Sequence, residues 1–164
     1  MGDFEKFYNF ALRFLSYRPR SEKEVRDKLK VQSEKLKVKD STAIIDKIIV
    51  KLKEKKFVND EEFARMFLEN RLRFKPRSSR LIQMELKQKG IDPDFIEKLI
   101  NDLKTINPDS DLEQAKKLVE KRIERLKNLK KQEIYEKLGR YLVSKGFNWD
   151  IIKKSIDAVL DKGV

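Results

Sequence analysis

Apolar residues in this chain recur at spacings of three and four, and no stretch shows the apolar–polar alternation of a half-buried strand. Phe4, Phe7, Tyr8, Ala11, Leu12 and Leu15 stripe a first helix. Ser21 and Glu24 make a capping box that starts a second, with Val25 and Leu29 inward. The Lys-rich stretch 30–39 either lengthens that helix or forms a loop. A third starts near Asp40 or Ser41 and buries Ile44, Ile45, Ile48, Ile49 and Leu52. Asn59 or Asp60 caps a fourth, which carries Phe63, Met66, Phe67 and Leu68 and stops at Pro76. Ser78 or Ser79 caps a short fifth with Leu81, Ile82 and Leu86, closed by Gly90 as a left-handed C-cap. Asp92 and Pro93 start a sixth around Phe95, Ile96, Leu99, Ile100 and Leu103. Beyond Asn107 and Pro108, a box of Ser110 and Glu113 opens a long seventh, from Leu112 through Ala115, Leu118, Val119 and Ile123 to Leu126. An eighth carries Ile134, Leu138, Tyr141 and Leu142 and closes at Lys145-Gly146. Asn148 caps a ninth, with Trp149, Ile152, Ile156 and Val159 inward.

Two short segments recur. Arg18-Pro19-Arg20-Ser21 returns as Lys75-Pro76-Arg77-Ser78, the serines 57 residues apart, and Lys89-Gly90 returns as Lys145-Gly146, the glycines 56 apart. The expected fold is therefore all-α: a tandem array of three three-helix repeats, 1–57, 58–108 and 109–164, elongated and curved. A three-helix unit of about 50 residues has a marginal core alone, so neighbours must stack. Leu86, Gly90 and Ile100 align with Leu142, Gly146 and Ile156 without a gap. The first repeat departs, an insertion of several residues standing in place of its Lys-Gly closure.

Charge narrows the partners. Across 164 residues, 40 Lys and Arg oppose 28 Asp and Glu, a formal net charge of +12. This suits nucleic acid, an acidic protein face or a membrane surface. Residues 1–57 hold 16 cations and 9 acids, residues 58–108 hold 10 and 9, and residues 109–164 hold 14 and 10. With no Cys and no His, disulfides, Cys-ligated zinc, thiol nucleophiles and imidazole bases are excluded, and a cytoplasmic protein is the simplest expectation. No apolar run is longer than Ile48-Ile49-Val50, so nothing reads as a transmembrane helix, and MGDFEKFYNF does not read as a signal peptide.

Asp60, Glu61 and Glu62, like Asp109 and Asp111, sit at helix starts where acids favour the dipole, so capping is the preferred reading over catalysis. A metal would need carboxylates converging from distant helices, and no Gly-rich phosphate loop occurs. No catalytic residue, metal ligand or cofactor is therefore assigned. The candidate contacts for a partner or DNA are basic. Arg71, Arg73, Lys75, Arg77 and Arg80 lie in a stretch without an acid, Arg18 and Arg20 repeat its turn, and Lys121, Arg122, Arg125, Lys127, Lys130 and Lys131 enclose only Glu124. A solvated face is the ordinary alternative. The Arg-rich middle patch favours bidentate recognition of phosphate or carboxylate. Tyr17 and Phe74 lie beside the basic turns. Helix-end packing is the usual fate of such rings, and stacking on bases is the alternative.

Taken together, these segments resemble the RecX family, regulatory modulators of the RecA recombinase. The resemblance rests on Ala11-Leu12 through Leu15, Arg18-Pro19-Arg20-Ser21-Glu22-Lys23-Glu24-Val25 and Leu29. It continues in Val58-Asn59-Asp60-Glu61-Glu62-Phe63-Ala64, Arg71, Ile82, Glu85-Leu86 and Lys89-Gly90-Ile91, and with the third repeat covers nearly the whole chain. It implies an all-helical repeat array that binds RecA-type filaments on DNA, lowers recombinase activity and has no enzymatic activity. The partners expected are the filament and single- and double-stranded DNA, with no membrane and a monomeric protein. A general nucleic-acid-binding helical module without a recombinase partner, and a helical scaffold for an acidic protein, remain alternatives.

Overall fold

The computed structural model describes residues 2–162, so the outermost ends of the first and third expected repeats lie outside the described residues. Among these residues the chain forms nine α-helices and no strands: α1 (Asp3–Tyr17), α2 (Glu22–Lys35), α3 (Ser41–Glu54), α4 (Asp60–Phe74), α5 (Ser79–Gln88), α6 (Pro93–Ile106), α7 (Ser110–Ile123), α8 (Lys131–Ser144) and α9 (Trp149–Leu160). The all-α reading and the order of the helices hold. Backbone packing divides the chain into two compact units. One runs to Met66 and includes Lys87–Asp92; the other comprises Phe67–Leu86 and the chain from Pro93 onward.

In the first unit, α1, α2 and α3 pack against one another. Phe7, Ala11, Val25, Leu29, Ile45, Ile48, Ile49, Leu52 and Val58 form their core. In the second, α7, α8 and α9 enclose Ala115, Leu118, Val119, Ile123, Ile134, Leu138, Leu142, Phe147, Ile152, Ile156 and Val159. Val25, Leu29, Ile82, Leu86 and Leu142 are completely buried. The capping box of Ser21 and Glu24 forms as the spacing predicts, and Asn59, Ser78 and Asn148 accept the helix N–H groups expected of them.

The helix closures correct the expected insertion. Gly90 and Gly146 take left-handed φ values of 78° and 87°. The first repeat has the same closure, with Lys37 at φ 51° in the glycine's place. Val38 N–H bonds the Ser33 carbonyl just as Phe147 N–H bonds that of Leu142. Helix α2 has 14 residues, as does α8, whereas α5 has 10. The middle helix is therefore one turn short, and the first repeat has no insertion. A left-handed lysine carries no sequence signal, so this closure does not announce itself in the chain.

Three local expectations also change. Ser110 and Glu113 do not form a capping box, because Asp109 takes the N-cap position and the Glu113 carboxylate instead accepts from Asn107 Nδ2 at 2.8 Å. The seventh helix ends at Ile123 and tightens into a 3-10 turn, Glu124–Leu126. Trp149 is 63% exposed rather than inward. It opens α9, and its ring lies along α8 at Gly139, where an added Cβ would sit 3.6 Å from Cζ3.

Candidate partner and nucleic-acid interface

Both recurring basic turns are built into buried seams. In the first unit the Ser21 hydroxyl, fully buried, donates to the Lys89 carbonyl at 2.6 Å and accepts from Glu24 N–H at 3.2 Å. In the second, Ser78 N–H donates to the Lys145 carbonyl at 3.0 Å. Each turn thus meets a Lys-Gly closure, and the glycines are required there. A Cβ on Gly90 would lie 2.6 Å from Lys23 Cβ, and one on Gly146 would lie 2.4 Å from Ser78 Oγ.

The acids at the helix starts also act across these seams. Asp60 Oδ1 accepts from Glu22 N–H at the N-terminus of α2, and Asp111 Oδ1 from Ser79 N–H at that of α5, both at 2.8 Å. These carboxylates therefore cap a neighbouring helix's first turn, where the unpaired N–H groups and the helix dipole favour an anion. Burial pushes the Asp60 carboxyl up, opposed by the bond from Glu22 N–H. Glu24 is the third seam acid. Burial alone would raise its pKa, but hydrogen bonds from Arg18, Lys89 and Ser21 N–H outweigh this and hold it at about 2.

These seams sort the expected contact residues. Glu85, which the linear reading did not connect with the middle patch, binds Arg71 Nε at 2.9 Å and also pairs with Arg77. Arg71 further stacks on Phe67 at 4.3 Å. Burial lowers both guanidinium pKa values, with the Arg71 charge adding to the effect at Arg77. Arg71 and Arg77 thus clamp a shared carboxylate. Arg73, Lys75 and Arg80 remain exposed with no carboxylate within 4.0 Å among the described residues. Phe74, 63% exposed, carries Arg73 over its face at 5.0 Å, and Tyr17 is 78% exposed. Neither ring is buried at its helix end.

Arg18 reaches Glu24 Oε1 at 2.7 Å and the Pro19 carbonyl at 2.9 Å. Arg20 stacks on Phe14 at 4.0 Å. Among the third group, Arg122 lies 3.5 Å over Tyr141, Lys131 6.0 Å over Tyr135, and Lys127 pairs with Glu124 at 2.5 Å. Lys130 N–H donates to Glu133, while Lys121, Arg125, Lys130 and Lys131 are exposed without a carboxylate partner among the described residues. Among the described residues, no three His, Cys, Asp or Glu side chains converge as metal ligands, and no helix is long and apolar enough to cross a membrane.

Three-helix domains, acid-capped seams and a cationic exterior define a helical-repeat protein. Family models for the first, second and third three-helix domains of RecX match residues 8–32, 59–100 and 109–156. The chain is 35% identical over 157 residues to the regulatory protein RecX of Finegoldia magna, covering 94% of this chain and 72% of that one. It is 33% identical to that of Bacillus subtilis, again over 94% of this chain but only 55% of its relative. The chain thus spans little more than half the length of the Bacillus relatives it matches. The crystal structure of RecX from Lactobacillus salivarius superposes with a TM-score of 0.71 at 30% identity, covering 95% of this chain and 96% of that one. The chain belongs to the RecX family of regulatory proteins.

Proposed function

We propose that this protein binds RecA-type recombinase filaments on DNA and lowers their activity in recombination, repair and the SOS response. On this reading it acts in the cytoplasm, as a monomer, by contact rather than by catalysis. The observation that carries it is the division of the middle basic patch. Glu85 engages Arg71 and Arg77, while Arg73, Lys75 and Arg80 are exposed without a carboxylate partner among the described residues. Exposed cations without an internal carboxylate are available to an anionic partner, and a RecX protein offers them to a nucleoprotein filament. The exposed third-group cations extend the same role, and Arg18 adds positive charge while engaged with Glu24.

The test is the triple substitution Arg73→Ala, Lys75→Ala, Arg80→Ala. Exposed sites away from buried networks usually change stability by no more than about 0.5 kcal/mol each, so the melting transition should barely move. Co-sedimentation with recombinase filaments on single-stranded DNA should weaken sharply, each charge-assisted contact being worth roughly 1.5–3 kcal/mol. Inhibition of the DNA-dependent ATPase should fall in parallel. If phosphates are the partner, the log–log salt dependence should flatten by about one unit for each phosphate no longer held. A triple variant that binds and inhibits like the parent returns these cations to a solvated face. Equal losses with and without recombinase present favour the plain nucleic-acid module.

A further inference from the structure

A pocket of about 470 Å³ opens in the first unit, lined by Tyr17, Arg18, Arg20, Lys56, Phe57 and Glu62 among others. Its volume lies in the range of small-ligand sites. Tyr17 is 78% and Phe57 53% exposed, and neither ring stacks on another among the described residues. Two large rings held in water beside three cations form a stacking platform in a positive setting, the combination that single-stranded nucleic acid selects.

Comparing the two basic turns shows what this pocket lacks. At the 57-residue spacing, Arg20 corresponds to Arg77, Phe14 to Arg71 and Lys28 to Glu85. In the second unit Glu85 supplies the anion that Arg71 and Arg77 share. In the first that position holds a cation, Lys28, whose Nζ lies 5.6 Å over Phe14 while Arg20 covers the same ring. Arg20 has no ion pair among the described residues; its Nε, like that of Arg77, is buried without a hydrogen-bond partner, so the two turns differ in the missing carboxylate. Burial, and after it the charge of Arg18, disfavour the Arg20 cation, with only Glu24 opposing. Glu24 is already taken by Arg18, Lys89 and Ser21 N–H. The first repeat therefore keeps the arginine of the cluster and omits its internal counter-ion.

We propose that this pocket receives one unstacked nucleotide of single-stranded nucleic acid, its phosphate against Arg20 and its base against Tyr17 and Phe57. The inference rests on the DNA-contact part of the function proposed above. Glu62 in the wall keeps the phosphate on the Arg20 side and leaves a carboxylate to accept from base amino groups.

The test compares a fluorescein-labelled thymidine oligonucleotide, its abasic analogue of equal length and a duplex, by anisotropy, in the parent and in Tyr17→Ala/Phe57→Ala. Both rings are exposed, so the double variant should keep its helical circular dichroism and melting point. The parent should prefer the base-bearing strand over the abasic one. The double variant should lose that preference, binding the thymidine strand about 5- to 150-fold more weakly, with abasic and duplex affinities unchanged. A 2-aminopurine placed in the strand should be quenched by the parent and not by the variant. Arg20→Gln should weaken the thymidine and abasic strands alike and flatten their salt dependence by about 0.7. Equal parental affinity for the two strands, or a double variant that binds like the parent, overturns the pocket and leaves the proposed function standing. A parent that binds no DNA overturns both. Displacement of the bound strand by an oligoglutamate peptide with undiminished affinity for the double variant overturns the nucleotide in favour of an acidic protein.

Discussion

Gly146→Ala and Gly139→Ala should change stability in opposite directions. The two glycines lie seven residues apart in the sequence, but their surroundings differ. Gly146 has φ 87°, a conformation costing an L-residue about 1–2 kcal/mol. A methyl group there would lie 2.4 Å from Ser78 Oγ and 2.8 Å from Leu81 Cβ. Ser78 cannot simply rotate away, because its hydroxyl accepts from Leu81 N–H at 3.1 Å. Overpacking of this kind costs roughly 1–3 kcal/mol, so the expected total is about 2–5 kcal/mol. Gly139 sits inside α8, and its new methyl would meet only the Trp149 ring, at 3.6 Å, an ordinary contact. Alanine there removes the helical penalty of glycine and should stabilise by about 0.5–1 kcal/mol. Urea unfolding at fixed temperature reads both, as shifts in midpoint at constant m-value. A Gly146→Ala midpoint within about 0.5 kcal/mol of the parent, or the same sign for both variants, would refute the seam geometry.

Leu86→Ala and Leu142→Ala, both at fully buried sites, should each cost roughly 2–5 kcal/mol in the same assay; a cost of surface size would mean those sites are not core. Glu85→Gln keeps the shape but leaves Arg71 and Arg77 facing each other, so stability should fall by about 1–3 kcal/mol, with partial recovery at high salt; a salt-independent melting point equal to the parent's counts against the clamp. Glu24 is held down at about 2, so its stabilisation is complete above the unfolded value of about 4.3 and is lost as pH falls toward the folded one. Urea stability measured across that window should decline in the parent and less steeply in Glu24→Gln; identical slopes would remove Glu24 from the acid response.

Most of the fold is legible because it is written in local signals. Ser21 with Glu24, Asn59, Ser78 and Asn148 announce helix starts within a few residues of the bonds they make, and Pro93 opens its helix as its residue type predicts. Gly90 and Gly146 announce closures because a left-handed backbone favours glycine. Lys37 performs the same closure without the residue type that signals it. The seams are less legible, because their partners come from far along the chain. Glu22 N–H finds Asp60, and Ser79 finds Asp111, across 38 and 32 residues. A carboxylate at a helix start reads locally as that helix's own cap, and nothing in its neighbourhood says which N-terminus it reaches. The middle patch misleads for a related reason. Glu85 lies just past the acid-free stretch, yet the fold brings it between two of the patch's arginines. The 57-residue spacing that pairs Lys28 with Glu85 carries the missing signal, a charge reversal in the helix that follows a repeated turn.

The seam in the first unit also sets an order of events during synthesis. A ribosome has delivered all of α1, α2 and α3 by the time it reaches Phe57, yet the N-terminus of α2 is still incomplete. The carboxylate for Glu22 N–H arrives with Asp60, and the carbonyl for the Ser21 hydroxyl only with Lys89. Until then Glu24 also lacks the Lys89 ammonium, 65 residues downstream. A chain that ends between those points cannot make the Ser21–Lys89 bond, and its Ser21 hydroxyl must take water as its acceptor instead. The core of α1, α2 and α3 is complete by Val58, whereas the seam at the start of α2 draws on Asp60 and Lys89. The first seam is thus closed by a carbonyl 68 residues after the serine that donates to it.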